Sequence, residues 1–181
     1  MAQINTSPLS WEEAEKVLSL LEEQERWHHL ILLAIGFYTG CKLDDVRYVR
    51  YNDFSTITML VKNPNRAENS PMFFINHQFN RIINLCKRKT SSKSKQYVVT
   101  RTRVVVDKPM SKPAVINRLK EAFVFCGYES EHVGFHTLRK TYALHRYQLE
   151  TYRKEEKYVL RGLRKTLRQA NNKVTRRYIG I

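Results

Sequence analysis

Acidic residues are scarce in this chain: 17 Asp and Glu stand against 32 Lys and Arg, a formal net charge of +15. The bland reading of that imbalance is a basic protein with no specific partner. The favoured one is a polyanion as partner, with nucleic acid first and an acidic membrane or protein second. Cysteine is scarce too. Cys41, Cys86 and Cys126 are isolated and odd in number. They offer neither a disulfide framework nor the paired spacing of a zinc site, and read as reduced thiols. No metal or cofactor is expected. Long apolar runs are absent as well, nothing approaching the roughly 20 residues that span a bilayer. The N-terminus lacks the basic-then-apolar order of a signal peptide. These absences predict a cytoplasmic protein without a membrane partner.

What is present suits one domain over residues 1–181, since 42% hydrophobic residues in 181 suffice for a core. Ser10-Trp11-Glu12-Glu13 reads as a capping box, and Trp11, Ala14, Val17, Leu18 and Leu21 follow at helical spacing. A second helix from Arg26 to about Tyr38, apolar from Leu30 to Phe37, reads as the buried centre, broken at Thr39-Gly40. A third begins at Lys42 and runs to about Tyr48. The segments 56–61 and 72–75 are strand-like, and Asn63-Pro64-Asn65 supplies turn chemistry, giving a β-hairpin with Lys62 at its tip. Helix returns over 76–88, a polar loop over 90–95 is expected to be mobile, and 96–106 reads as another strand. Ser111-Lys112-Pro113 opens a helix that Gly127 ends. From His136 onward the pattern is helical, with breaks near Gly162 and Asn171-Asn172. Phe73, Phe74, Phe123 and Phe125 read as core. The expected class is mostly α with a small antiparallel hairpin (α+β), and no internal repeat is visible.

Three segments together resemble a known family. Gly134-Phe135-His136-Thr137-Leu138-Arg139-Lys140-Thr141-Tyr142-Ala143 is similar to the His-x-Leu-Arg box of tyrosine recombinases and phage integrases. Leu167-Arg168-Gln169, then Thr175 and Tyr178, resembles their terminal Leu-Gly-His-(x)5-Thr-x-x-Tyr box without a gap. Tyr38-Thr39-Gly40-Cys41-Lys42-Leu43-Asp44-Asp45-Val46 resembles their Tyr-Thr-Gly-Leu-Arg-x-x-Glu-Leu box, and Asp53 stands where an Asp closes it. The resemblance implies the tyrosine recombinase catalytic-domain fold over the whole chain. With about ten residues before the first helix, an N-terminal core-binding domain is not expected; Ile179, Gly180 and Ile181 follow the tyrosine.

The resemblance implies roles as well. Tyr178 is the nucleophile on a phosphodiester, Arg139 a phosphate clamp, His136 a proton carrier, and Lys62 the donor to the leaving oxygen. Each residue type suits its task, because a phenol needs a base and the transition state needs cations on its non-bridging oxygens. Alone, a helical histidine is usually structural and a turn lysine merely solvated, with Arg66 a competitor to Lys62; the run as a whole favours function for His136. Two positions depart. Lys42 replaces the first clamp arginine and loses its planar fork, and Gln169 replaces the His or Trp of the terminal box and carries no proton at neutral pH.

The C-terminal run of Arg153, Lys154, Lys157, Arg161, Arg164, Lys165, Arg168, Lys173, Arg176 and Arg177 faces only Glu155 and Glu156. With Lys140 it suits a phosphate-tracking surface better than a solvated helix face; Lys87, Arg88, Lys89, Lys93 and Lys95 form a second strip. The implied partner is double-stranded DNA, with a homo-oligomer assembled on it. Two functions compete: a site-specific recombinase slowed by Lys42 and Gln169, or a degenerate recombinase fold serving as a DNA-binding regulator or accessory factor.

Overall fold

The computed structural model describes residues 6–64, 71–100 and 108–181. Helix α1 (Trp11–Glu23) starts at Ser10, whose hydroxyl accepts from the Glu13 amide while the Glu13 carboxylate accepts from the Ser10 amide. Both partners of the expected capping box are therefore in place. Ala14, Val17, Leu18 and Leu21 form its buried face. Helix α2 (Trp27–Thr39) is buried without interruption from Leu30 to Thr39. A helix apolar on every side needs cover on every side. Here α1, α4 (His77–Lys89), α5 (Lys112–Phe125) and α6 (Phe135–Thr151) supply it. Each fully buried Leu, Ile or Phe contributes about 1.5–3 kcal/mol, so α2 carries much of the fold's driving force.

Past Gly40 the third helix is shorter than expected, a single turn α3 (Leu43–Val46), and a 3₁₀ turn covers Tyr51–Asp53. Strands β1 (Thr58–Leu60) and β2 (Met72–Phe74) pair antiparallel with Met59 opposite Phe73. Alternation turns Phe73 inward and Phe74 outward, the latter 76% exposed, so Phe74 is not core. Phe123 is fully buried; Phe125 is half-buried under the Arg26 guanidinium.

The loop after α4 makes several hydrogen bonds to the helix and to the 3₁₀ turn. Thr90 Oγ1 donates to the Cys86 carbonyl, the Ser92 amide to Lys87, and the Asn52 amide to Ser94. Of the strand expected over 96–106, Tyr97 forms one isolated bridge with Arg50; residues 101–106 lie outside the described residues, as do Asn65 and Arg66.

Gly162 does not break the C-terminal helices. It lies inside α7 (Glu156–Leu167), and the chain bends earlier, after Thr151. An interior glycine costs a helix about 1 kcal/mol. The buried stripe Val159, Leu160, Leu163 and Leu167 outweighs that cost by packing on Tyr142 and Ala143 of α6, together with Ile179 of α8 (Asn172–Ile179). This second small core fixes α8 against α6. No helix among the described residues is long and apolar enough to cross a membrane.

Candidate functional site

The motif His136–Ala143 forms the first two turns of α6. Its N-terminus is set by the Gly134 amide donating to Thr137 Oγ1 (3.1 Å). Leu138 and Arg139 turn inward, and His136 remains in reach of solvent. Leu138 packs on α2 at Gly36, where an added Cβ would stand 2.4 Å from Leu138 Cδ1. The N-terminal segment crosses the same helix: the Leu9 amide donates to Thr141 Oγ1 (2.9 Å) and Lys140 Nζ to the Thr6 carbonyl (2.6 Å).

Helix α8 brings the terminal tyrosine to this surface. The Asn171 side chain caps it by accepting from the Val174 amide (3.0 Å), and Thr175 and Ile179 are buried. Tyr178, one helical turn beyond Thr175, then meets α6. Its hydroxyl lies 3.1 Å from His136 Nδ1, and Lys140 Nζ lies 5.8 Å from its ring centroid. Residues 42 positions apart thus form one polar pair. Arg139 is 7% exposed, and its Nη2 donates to the Leu167 carbonyl (3.1 Å). Since a guanidinium cannot shed its charge, Arg139 is a fixed cation beside the pair.

That cation and burial set the protonation of both partners. Burial pushes the Tyr178 phenol above its ordinary value, with Arg139 opposing. Partial desolvation, aided by Arg139 and Lys140, lowers His136 below 6.5. At neutral pH the pair is a neutral phenol beside a neutral imidazole. With the ring proton on Nε2, Nδ1 is free to accept from the hydroxyl, the arrangement a nucleophile and its base require.

A proton-linkage result follows. Between its lowered folded value and the unfolded value near 6.5, the unfolded chain binds more protons at His136, so stability rises with pH across that window and falls as pH drops below 6.5. His28, His29 and His145 are lowered mainly by burial and act in the same direction. Histidine NMR should give a His136 midpoint below 6.5 that moves upward in Lys140→Ala, where one repelling charge is gone. A midpoint unmoved by that substitution would contradict the electrostatic assignment.

The remaining expected site residues stand on adjoining segments. Lys42 is the N-cap residue of α3, half-buried. Lys62 is exposed just past β1, and its charge acts on Asp53. Burial raises the Asp53 carboxyl, opposed by the Arg50 amide (2.8 Å) and by Lys62. Gln169 follows α7 with its side-chain Oε1 buried and without a partner among the described residues. Among the expected DNA-contacting residues, Lys165, Arg168, Lys173, Arg176 and Arg177 are exposed, and Arg164 is half-buried. Arg176 is engaged with Glu156. Lys157, Tyr158, Arg161, Arg164 and Asn172 line a concavity of about 470 Å³.

Sequence reasoning gave Asn63 only a turn and Asp45 only a place in the Tyr-Thr-Gly box, with no site role for either. Asp45 is 1% exposed, accepts from Asn63 Nδ2 (3.2 Å) and lies 3.9 Å from Arg168 Nη1. A buried carboxylate is legible only in three dimensions; in sequence Asp45 is one of two adjacent aspartates. No group of His, Cys, Asp and Glu among the described residues could hold a metal ion.

No protein-family model matches the sequence, and no curated protein matches it. Solved structures do. The crystal structure of XerA recombinase superposes with a TM-score of 0.74 at 14% identity, over 100% of this chain and 62% of that one. The fold is that of the tyrosine recombinase catalytic domain. XerH site-specific recombinase, in a pre-cleavage complex with its difH substrate, matches with a TM-score of 0.68 at 17% identity, over 95% of this chain and 49% of its own. A lambda integrase dimer bound to a COC′ core site matches with a TM-score of 0.64 at 16% identity, over 99% and 49%. The chain therefore spans roughly half to three-fifths of these proteins' lengths. At such identities the likeness establishes the recombinase fold and leaves chemistry to be argued from the residues.

Proposed function

We propose that this protein binds double-stranded DNA and cleaves and rejoins a strand through a phosphotyrosyl intermediate at Tyr178. The observation that carries this reading is the 3.1 Å approach of the Tyr178 hydroxyl to His136 Nδ1, with Arg139 fixed beside the phenol. In the reaction the Tyr178 oxygen attacks phosphorus while His136 takes the phenol proton. The bond to the 5′ oxygen breaks, and Lys62 supplies that oxygen's proton. Arg139 bears on the non-bridging oxygens, where charge develops. Lys42 contributes charge without a fork, and Gln169 no proton, so turnover is slow. Reversal onto another strand completes exchange without an external energy source.

Lys140, Arg164, Lys165, Lys173, Arg176 and Arg177 track the phosphate backbone on either side of the pair. Assembly as a homo-oligomer on DNA fits the resemblance to lambda integrase, whose structures include a dimer and a tetramer on DNA. About six phosphate contacts would lower affinity by roughly a thousandfold between 50 and 200 mM salt. Fluorescence anisotropy on a duplex measures this, and a flat salt response would remove DNA as the partner.

The deciding test is covalent trapping on a pool of nicked suicide duplexes with randomised flanks. A denaturation-resistant protein–DNA adduct supports strand cleavage. Salt-dependent binding without an adduct favours the second reading, a DNA-binding regulator on a recombinase fold, for which Lys42 and Gln169 speak.

A further inference from the structure

Arg168 closes α7 in the left-handed conformation, with φ 55° and ψ 52°. Glycine adopts that conformation freely, whereas a residue with a Cβ resists it. In the terminal box that this segment resembles, the same position is a glycine. A strained arginine in place of the easy residue calls for a compensating use of its side chain.

The side chain crosses from the end of α7 to α3, where Nη1 lies 3.9 Å from Asp45 Oδ2. The Asp45 side chain is 2% exposed and that of Arg168 30%, so the contact joins a buried carboxylate to a guanidinium in partial reach of solvent. Asn63 Nδ2 holds the other Asp45 oxygen at 3.2 Å. The carbonyl of the preceding residue, Leu167, accepts from Arg139 Nη2. Consecutive residues 167 and 168 thus anchor one guanidinium and carry a second. Arg139 and Asp45, the partners of these two consecutive residues, also each bear on the buried Cys41 thiol.

We propose that Arg168 is a second phosphate-binding guanidinium of the Tyr178 site, positioned by Asp45 and aimed beside Arg139 at the non-bridging oxygens. This rests on the phosphodiester reading of that site. It gives the site the planar fork that the lysine at position 42 cannot supply, because only a guanidinium grips two oxygens at once. Asp45 is then a positioning residue, orienting the fork without touching substrate.

The experiment is titration of the full chain with inorganic phosphate, followed by arginine side-chain ¹⁵N NMR. Phosphate should shift the Arg139 and Arg168 Nε signals together with one shared Kd. Arg168→Gly, which keeps the left-handed backbone and removes only the side chain, should weaken that Kd roughly fivefold or more. Arg168→Lys should recover part of the loss. An Arg139 shift with an unaltered Kd in Arg168→Gly would overturn the proposal and leave Arg168 a tie between α7 and α3. Phosphate that moves neither signal would overturn it as well. Phosphate bound through both guanidiniums in a chain that forms no DNA adduct would sustain the proposal and overturn strand cleavage.

Discussion

Tyr178→Phe should abolish covalent attachment to DNA while leaving duplex affinity within about threefold, since phosphate contacts rather than this hydroxyl dominate binding. The substitution removes one oxygen. The ring still packs against the small core of α6, α7 and α8, so the fold loses at most the hydrogen bond to His136, about 1 kcal/mol. Chemistry loses its nucleophile outright, a fall of at least roughly 10⁴-fold in adduct formation. His136→Asn makes the graded comparison. It leaves the phenol but removes the base, and should cost about 10²–10⁴-fold. Denaturing gels of the trapped adduct read both. An adduct that persists in Tyr178→Phe would mean that another of the chain's ten tyrosines attacks, and the site would have to be moved.

Gly40→Ala should be among the most destabilising single-methyl changes in the chain. Gly40 ends α2 at φ +60, and a Cβ there would stand 2.3 Å from Tyr142 Cδ1 and 2.9 Å from Cε1. The left-handed backbone costs an alanine about 1–2 kcal/mol, and overpacking a filled core typically costs about 1–3 kcal/mol more. Tyr142 cannot step aside cheaply, because it is buried between α2 and α7 and its hydroxyl accepts from Arg146 Nη1 (2.9 Å). A loss of roughly 3 kcal/mol in urea unfolding is expected at Gly40. Gly180→Ala makes the control: its φ is +80 with nothing within 4 Å, so only the backbone cost applies. Equal losses at the two positions would show that contact with Tyr142 contributes nothing.

Gly40 also shows how a motif can be read correctly without its reason. Thr39-Gly40 is visible in sequence as a helix stop, and α2 does stop there. That the glycine also admits Tyr142, and so lets α6 approach α2 closely enough to bury Leu138 and Arg139, depends on a contact 102 residues distant in the chain. Gly162 is the converse. Read locally it is a break; in the fold it is helical, because the buried leucines around it decide the matter. The hairpin residues divide similarly. Period-2 alternation predicts two faces, but only packing into the main core makes Phe73 the inner residue and Phe74 the outer one.

The helical class, the central apolar helix, the Ser10 capping box, the cationic C-terminus and the presence of a His-x-Leu-Arg run with a terminal tyrosine are all legible before folding. These are short-range features, written in spacing and composition, and they survive any packing. Tertiary structure alone decided that His136 and Tyr178 stand 3.1 Å apart, that Arg139 is held by the Leu167 carbonyl, and that Arg168 reaches Asp45. Those distances depend on α8 docking on α6 through Tyr142, Leu163 and Ile179, and on α7 ending left-handed. Hydrophobic burial brings segments together across sequence, and a period or a motif carries no information about which buried faces will meet.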